Sequence, residues 1–397
     1  MPSNAVPSNA VLTPVPPPRR EPSRGGDASN RVRLIRESFA VIEPRIEEVA
    51  RFFYGMLFSI EPATRKLFPV NMEVQHSRLL RALVHVVQMV DRPDDLVPFL
   101  RQLGRDHRKF GVTAEHYDAF GSALISTIKH FAGIVWTPSV EKAWTDAFGL
   151  ISKTMHEAAD ADQGPPSWSG QVIKHQRLSW DLAVVRIEPD QLVPYRAGQY
   201  VSIEIPQRPR LWRYLSPANA PRPDGVLEFH VRAVPGGWVS RSIVGHTQVG
   251  DSWRIGTPMG GMSVDRRSGR NVLMIAGGTG MAPMRAMLEE LARWGDNPDV
   301  QLFLGGRTRG DLYDLHTLNA MTASNPWLSV VPVLEDDPTV RAAEHGTLVD
   351  VVTRSGAWSA HDVLVCGSPA MIRATVSRLL VAGTPLERIK YDPYTLD

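Results

Sequence analysis

A chain of 397 residues is longer than one compact core usually holds and points to two or three domains. It has 44 basic against 42 acidic side chains, so no charge excess argues for a nucleic-acid partner or an acidic membrane surface. The one cysteine, Cys366, excludes an intramolecular disulfide and any cysteine-rich zinc or iron–sulfur centre.

Residues 1–30 combine Pro, Ser, Asn and Gly with few large apolar groups, which predicts a disordered tail. No run approaches the roughly 20 apolar residues that span a bilayer. The Arg19-Arg20 pair is followed by a polar stretch instead of an apolar signal core, so a cytoplasmic protein is expected. Over residues 31–160 the apolar positions recur at steps of three and four: Leu34, Phe39 and Ile42, then Ile46, Val49, Phe52, Phe53, Met56 and Leu57. Further helices are predicted over 74–90, 94–105, 114–132 and 138–156, with breaks at Pro62, Pro69, Pro93, Gly111 and Pro138. This is an all-α domain. Within it, LGRDHRKFGVTAEHYDAF brings His107, His116 and Tyr117 close together in sequence, and a histidine among apolar residues is either a ligand or an ordinary hydrogen-bonded side chain.

Residues 161–169 read as a polar, Pro/Gly-rich linker. The segments DLAVVRIEP, QYVSIEIP and GVLEFHVRAVP then alternate in the manner of short strands, predicting an antiparallel β-barrel over 170–265. From 266 to 397 the rhythm is strand, turn, helix, as in NVLMIAGGTGMAPMRAMLEELARW, which predicts an α/β domain with a parallel sheet. Between its first strand and helix lie Gly277, Gly278, Thr279 and Gly280. Free amides and the positive helix end at such a turn favour a phosphate, although a glycine turn can also be purely structural.

The motifs YRAGQYVSIEIP, LWRYLSPANAP, VPGGWVSRSI, IAGGTGMAP and VLVCGSPAMI occur in the order and spacing of the ferredoxin-NADP reductase-like flavoprotein reductases, which residues 169–397 resemble. The resemblance implies FAD and a nicotinamide cofactor. It assigns Arg213 to the FAD phosphate, Ser216 to the isoalloxazine, and Gly236, Gly237, Val239 and Ser240 to the pyrophosphate. Gly277, Gly278, Thr279 and Gly280 are assigned to the dinucleotide, and Cys366, Gly367, Ser368 and Pro369 to the nicotinamide. The family pattern R-x-Y-S here reads Arg213-Tyr214-Leu215-Ser216, so Tyr214 precedes an aliphatic Leu215 at the flavin-stacking position. Tyr394, with Tyr391 second, corresponds to the terminal aromatic that covers the flavin; the alternative is simple packing of the last strand. Arg307 and Arg309 stand where a 2′-phosphate is met, yet NADH-using relatives share that turn, and NADH is favoured over NADPH.

An all-α domain in front of such a reductase resembles the flavohaemoglobins, and this chain is identified as a divergent member of that family. The resemblance implies haem b, with His107 as the proximal iron ligand and Phe68 packed on the haem. Tyr54, Gln75 and Leu79 fall at the distal positions, and Tyr117 lies beside the proximal histidine. His116 is assigned to the surface or the helix start. Ala159 falls where the family places a glutamate, with Glu157 and Asp160 as neighbours. The implied activity is hydride transfer from NADH (or NADPH) to FAD, electron transfer to haem, and oxidation of nitric oxide with O2 to nitrate, with no obligate protein partner. The alternatives are a haem–flavin oxidoreductase that uses another donor or reduces peroxides, and a haem-based gas sensor or carrier.

Overall fold

The computed structural model describes residues 24–391 apart from residue 341. Six helices form the first domain: α1 (Arg24–Ile42), α2 (Ile46–Ile60), α3 (Glu73–Met89), α4 (Pro93–His107), α5 (Ala114–Ala132) and α6 (Pro138–Asp160). On α2, Val49, Ala50, Phe53, Tyr54 and Leu57 are buried at helical spacing and face Ile35, Ile42, Val87, Ile128 and Trp144 across the core. Pro93 and Pro138 sit in the first turns of their helices, where the missing N–H costs no hydrogen bond. Gly111, at φ 69°, turns the chain after His107 in the left-handed region that glycine tolerates.

Two boundaries differ from the expectation. The tail assigned to 1–30 lies outside the described residues up to 23, and Arg24–Asn30 belong to α1. Once the amphipathic part of a helix has docked, extending it by a turn adds a hydrogen bond per residue and needs no further nucleus. The linker is shorter than 161–169, because β1 (Ser167–Arg177) already begins at Ser167.

The second domain continues with β2 (Leu182–Pro189), β3 (Val201–Glu204), β4 (Arg213–Leu215), β5 (Leu227–Arg232), α7 (Trp238–His246) and β6 (Ser252–Gly256). The antiparallel order β4-β3-β6-β1-β2-β5 is nearly closed by a bridge between Pro217 and Phe229. Trp168, Val172, Val185, Ile203, Phe229 and Trp253 fill the barrel.

The third domain holds β7 (Val272–Gly277), α8 (Met281–Leu291), β8 (Val300–Gly306), α9 (Leu315–Ser324), β9 (Leu328–Leu334), β10 (Glu344–His345), α10 (Leu348–Ser355), β11 (Asp362–Cys366), α11 (Pro369–Val381) and β12 (Ile389–Tyr391). Its sheet is parallel in the order β10-β9-β8-β7-β11-β12. The chain steps outward from β7 to β10 and returns to β11 on the other side of β7. The strand order therefore reverses between β7 and β11, and a crevice opens at their carboxyl ends, where α/β sheets bind ligands. Among the described residues no helix is long and apolar enough to cross a membrane.

Candidate functional site

Candidate side chains gather in each of the three domains and where two domains meet. At the end of α4 the His107 Nδ1 lies 2.8 Å from the Leu103 carbonyl oxygen. A carbonyl only accepts, so Nδ1 donates and the lone pair is left on Nε2. Burial pushes the imidazole pKa down, against the pull of Asp106 and the Leu103 carbonyl, which favours the neutral ring. A neutral imidazole whose second nitrogen is fixed by a carbonyl fits axial ligation of a haem iron.

Tyr54 is buried, and burial raises its pKa so that it keeps its proton. Its ring lies 5.3 Å from Phe68 and 5.4 Å from His76, and its hydroxyl donates to the Gln75 carbonyl at 3.3 Å. The start of α3 thus brings Gln75 to Tyr54 through its main chain. Leu79, one turn on, packs against the same core. His76 was passed over in the sequence; its adjacency to Gln75 was the only signal for it.

A separate cavity is lined by His107, Tyr117, Val112, His156, Ala159 and Asp160, with Gly104 in its wall. The helix α6 runs one turn past His156, which brings Ala159 and Asp160 to Tyr117. Burial, with the Asp160 carboxylate behind it, raises the Tyr117 pKa. His116 is a helix-start residue: its Nδ1 accepts the Thr113 N–H at 2.9 Å.

On the barrel, Arg213, Tyr214 and Leu215 of β4 line a cavity with His230, Arg232, Gly236, Gly237, Ser240 and Thr279. Gly236 is at φ 73°, and a Cβ at Gly237 would lie 2.4 Å from Ser240 Oγ and 2.7 Å from Val234 Cγ2, so this turn favours glycine at both places. Exposed amides beside an arginine fit a pyrophosphate. Ser216 is buried behind the strand. Val239, expected at the pyrophosphate, buries its side chain in the barrel core because it sits on the inner face of α7; only its main chain is left for a phosphate.

In the crevice between β7 and β11, a Cβ on Gly280 would lie 2.3 Å from the Cys366 carbonyl oxygen, so glycine alone lets the two strand ends meet. Gly278 is at φ 55° with open space above it, and Gly277 faces Gly367. Cys366 is buried. Ser368 caps α11 by accepting the Met371 N–H at 3.3 Å, and Pro369 opens the helix. Thr279 stands in the wall of the cavity beside Arg213, so the glycine turn and that cavity share one space. Tyr391 packs against the outer core of the sheet, and Tyr394 lies outside the described residues.

A buried polar cluster joins the barrel to the third domain beside this cavity. His230 meets the Tyr313 hydroxyl at 2.9 Å and Glu228 at 3.1 Å, and Arg285 pairs with Glu228 at 2.9 Å. Alternation in LEFHVR carries the signal: Phe229 and Val231 enter the barrel, so Glu228, His230 and Arg232 face outward.

These domains define a protein that joins a haem-type globin to a flavin- and nicotinamide-dependent reductase. The globin family matches residues 51–155, the oxidoreductase FAD-binding domain 169–263 and the oxidoreductase NAD-binding domain 274–377. The chain is 24% identical to the flavohemoprotein of Bacillus subtilis, over 91% of this chain and 96% of that one. It is 26% identical to the flavohemoprotein of Chromobacterium violaceum, again over 91% and 96%. Its fold is shared with the flavohemoglobin from Malassezia yamatoensis solved with bound FAD and heme, with a TM-score of 0.77 at 19% identity over 92% of this chain and 98% of that one. The chain thus carries the globin, FAD-binding and NAD-binding domains of a haem–flavin NAD(P)H oxidoreductase, in the arrangement of the flavohemoproteins to which it is similar, and its cofactor classes are haem, FAD and a nicotinamide dinucleotide.

Proposed function

We propose that this chain oxidises nitric oxide with O2 to nitrate at the expense of NADH or NADPH. One NAD(P)H, two nitric oxide and two O2 molecules give NAD(P)+, two nitrates and one proton. The observation that carries the reading is the shared space at Thr279 together with the packing of the His107 helix end on the strand of Arg213 and Tyr214. This arrangement supports one path from hydride donor through flavin to haem ligand, which a gas sensor or carrier does not need. When bound, the flavin divides a hydride's electron pair and the haem iron is the place where O2 and nitric oxide react.

The chain's own residues bind and orient. Arg213, Gly236, Gly237 and Ser240 hold the FAD pyrophosphate, with Ser216, Tyr214 and Leu215 beside the ring system. Gly277, Gly278, Thr279 and Gly280 hold the dinucleotide, and Cys366, Gly367, Ser368 and Pro369 face its nicotinamide. His107 holds iron through Nε2, with Tyr117 beside it. Tyr54 keeps its phenol proton and, by turning it from the Gln75 carbonyl, would donate a hydrogen bond to a diatomic ligand lodged against Phe68 and Leu79, with the Gln75 side chain as second donor. Ala159 in place of a glutamate supports a second reading, a haem–flavin oxidoreductase acting on a substrate other than nitric oxide at the same haem.

An anaerobic absorption spectrum with NADH under CO tests the path: the haem should convert to its ferrous CO form. Nitrate should then form from nitric oxide in air. Tyr54→Phe should release O2 faster by about tenfold or more, the worth of one buried hydrogen bond. Haem that stays oxidised under NADH rejects the electron path, and haem reduction without nitrate formation leaves the second reading.

A further inference from the structure

Where α4 meets the barrel, two opposite charges are buried together. Lys109 is 4% and Asp106 5% exposed, with the ammonium 2.5 Å from Asp106 Oδ1. The lysine leaves the globin and enters a slot in the barrel. It donates to Ser202 Oγ at 2.9 Å and stands 5.0 Å from the ring centre of Trp212 and 5.4 Å from that of Tyr214. The slot needs Gly256, where a Cβ would lie 2.1 Å from Ser202 Oγ and 3.3 Å from Lys109 Cδ. The second oxygen of Asp106 accepts the Tyr214 hydroxyl at 3.3 Å. The main chain is held as well, because Arg254 donates to the Lys109 carbonyl at 3.0 Å while pairing with Glu204 at 2.7 Å.

Stability alone does not account for such a pair, since well-packed apolar residues often replace a buried ion pair at no loss. What a satisfied buried network supplies is one fixed arrangement in place of several. Here that arrangement is specific. Asp106 precedes His107 in the chain, and Tyr214 lies between Arg213 and Leu215 in the wall of the flavin cavity. The Tyr214–Asp106 hydrogen bond therefore links the two centres in few steps.

We infer that Lys109 and Asp106 form an interdomain pin, with Lys109 a positioning residue that holds the His107 helix end against Tyr214 and so sets how fast electrons pass from flavin to haem. This rests on the electron path proposed above, in which one NADH reduces two ferric irons to ferrous and releases NAD+ and one proton. Lys109 itself carries no electron and meets the flavin site only through Tyr214; it fixes the distance.

Two variants of the full chain test the pin. Lys109→Met keeps the stem and removes the charge. The double variant Asp106→Asn with Lys109→Met removes both charges without leaving either one buried alone, and so protects the fold. In anaerobic stopped flow with NADH under CO, flavin bleaching should stay near the parent rate, while formation of the ferrous CO haem should slow by about ten- to hundredfold, as small misplacements do. Hydrogen exchange should rise together at Arg108–Phe110 and Arg213–Leu215 in the double variant, with or without cofactors. Haem reduction at the parent rate in both variants overturns the inference, as does an equal slowing of flavin and haem, or exchange that rises on one side only. Should the parent show no reduction of haem by NADH, the electron path itself has failed and the exchange measurement alone decides the pin.

Discussion

At Gly104, three residues before His107, α4 packs directly on the main chain of α6. A Cβ there would lie 2.1 Å from the Met155 carbonyl oxygen and 2.7 Å from its carbonyl carbon and Cα. All three are main-chain atoms, so no rotamer change relieves the clash and α6 must move as a unit. Overpacking of this kind costs about 3 kcal/mol at the upper end of its range. Alanine returns about 1 kcal/mol through its better helix propensity, which leaves a net loss of about 2 kcal/mol. Gly149 on α6 is the matched control, because it is exposed with nothing within 4 Å of its missing Cβ. Gly149→Ala should therefore stabilise by about 1 kcal/mol. The same chemical change thus has opposite signs at two positions. Urea unfolding of the two holoproteins, followed at the haem Soret band, measures both. Gly104→Ala as stable as the parent, or Gly149→Ala equally destabilised, would refute the close crossing.

Burial raises the Glu228 carboxyl, but hydrogen bonds from His230 and Arg186 and the charge of Arg285 outweigh it and hold its pKa well below the ordinary value. A depressed folded pKa contributes stability above the unfolded value of about 4.3 and loses it as pH falls from there toward the folded value. Acid unfolding of Glu228→Gln should accordingly show a flatter loss of stability below that pH; a limb as steep as the parent's rejects this account. Gly280→Ala should press β7 away from β11 and slow flavin reduction by NADH about tenfold or more, while the CO spectrum of dithionite-reduced haem stays the same. Undiminished flavin reduction would remove the crevice from the nicotinamide path. Trp144 donates its indole N–H to Ser38 Oγ at 2.9 Å inside the globin core. Ser38→Ala leaves that donor unpaired at a cost of about 1–3 kcal/mol, read as a lower urea midpoint, and an unmoved midpoint contradicts it.

The three-part architecture was legible because each part has its own period. Steps of three and four placed Val49, Phe53 and Leu57 on one face of α2, and the alternation of LEFHVR separated the barrel face from the outer face. Glycines were equally readable where they are required by geometry, as at Gly236 and Gly280. Contacts made far along the chain were not. Lys109 in RDHRKF looks like one more solvated cation beside Arg105 and Arg108, and only the fold brings Ser202, Trp212 and Gly256 around it. Val239 illustrates the converse: a motif position fixes the backbone, while the side chain answers to whichever face of α7 it occupies.

The proximal wall depends on where α6 ends. A helix stopping near His156 would leave Ala159 in a loop, but α6 continues to Asp160, so both residues are carried on helical geometry toward Tyr117 and His107. One residue corresponds to about 100° of rotation around a helix. A carboxylate at Asp160 instead of at Ala159 therefore approaches the same cavity from a different side. It meets His156 at 3.4 Å, one turn earlier on the same helix. The acid at this site is thus shared with a second histidine, and its charge reaches Tyr117 while the Nδ1 of His107 remains with the Leu103 carbonyl. The hydrogen-bond partner of the His107 ring is thus a neutral carbonyl on its own helix, a weaker donor of electron density than a carboxylate relay. With His107 as the proposed axial ligand, such a site would suit ligand binding and single-electron chemistry at iron more than cleavage of a peroxide bond, which draws on a strongly donating axial ligand.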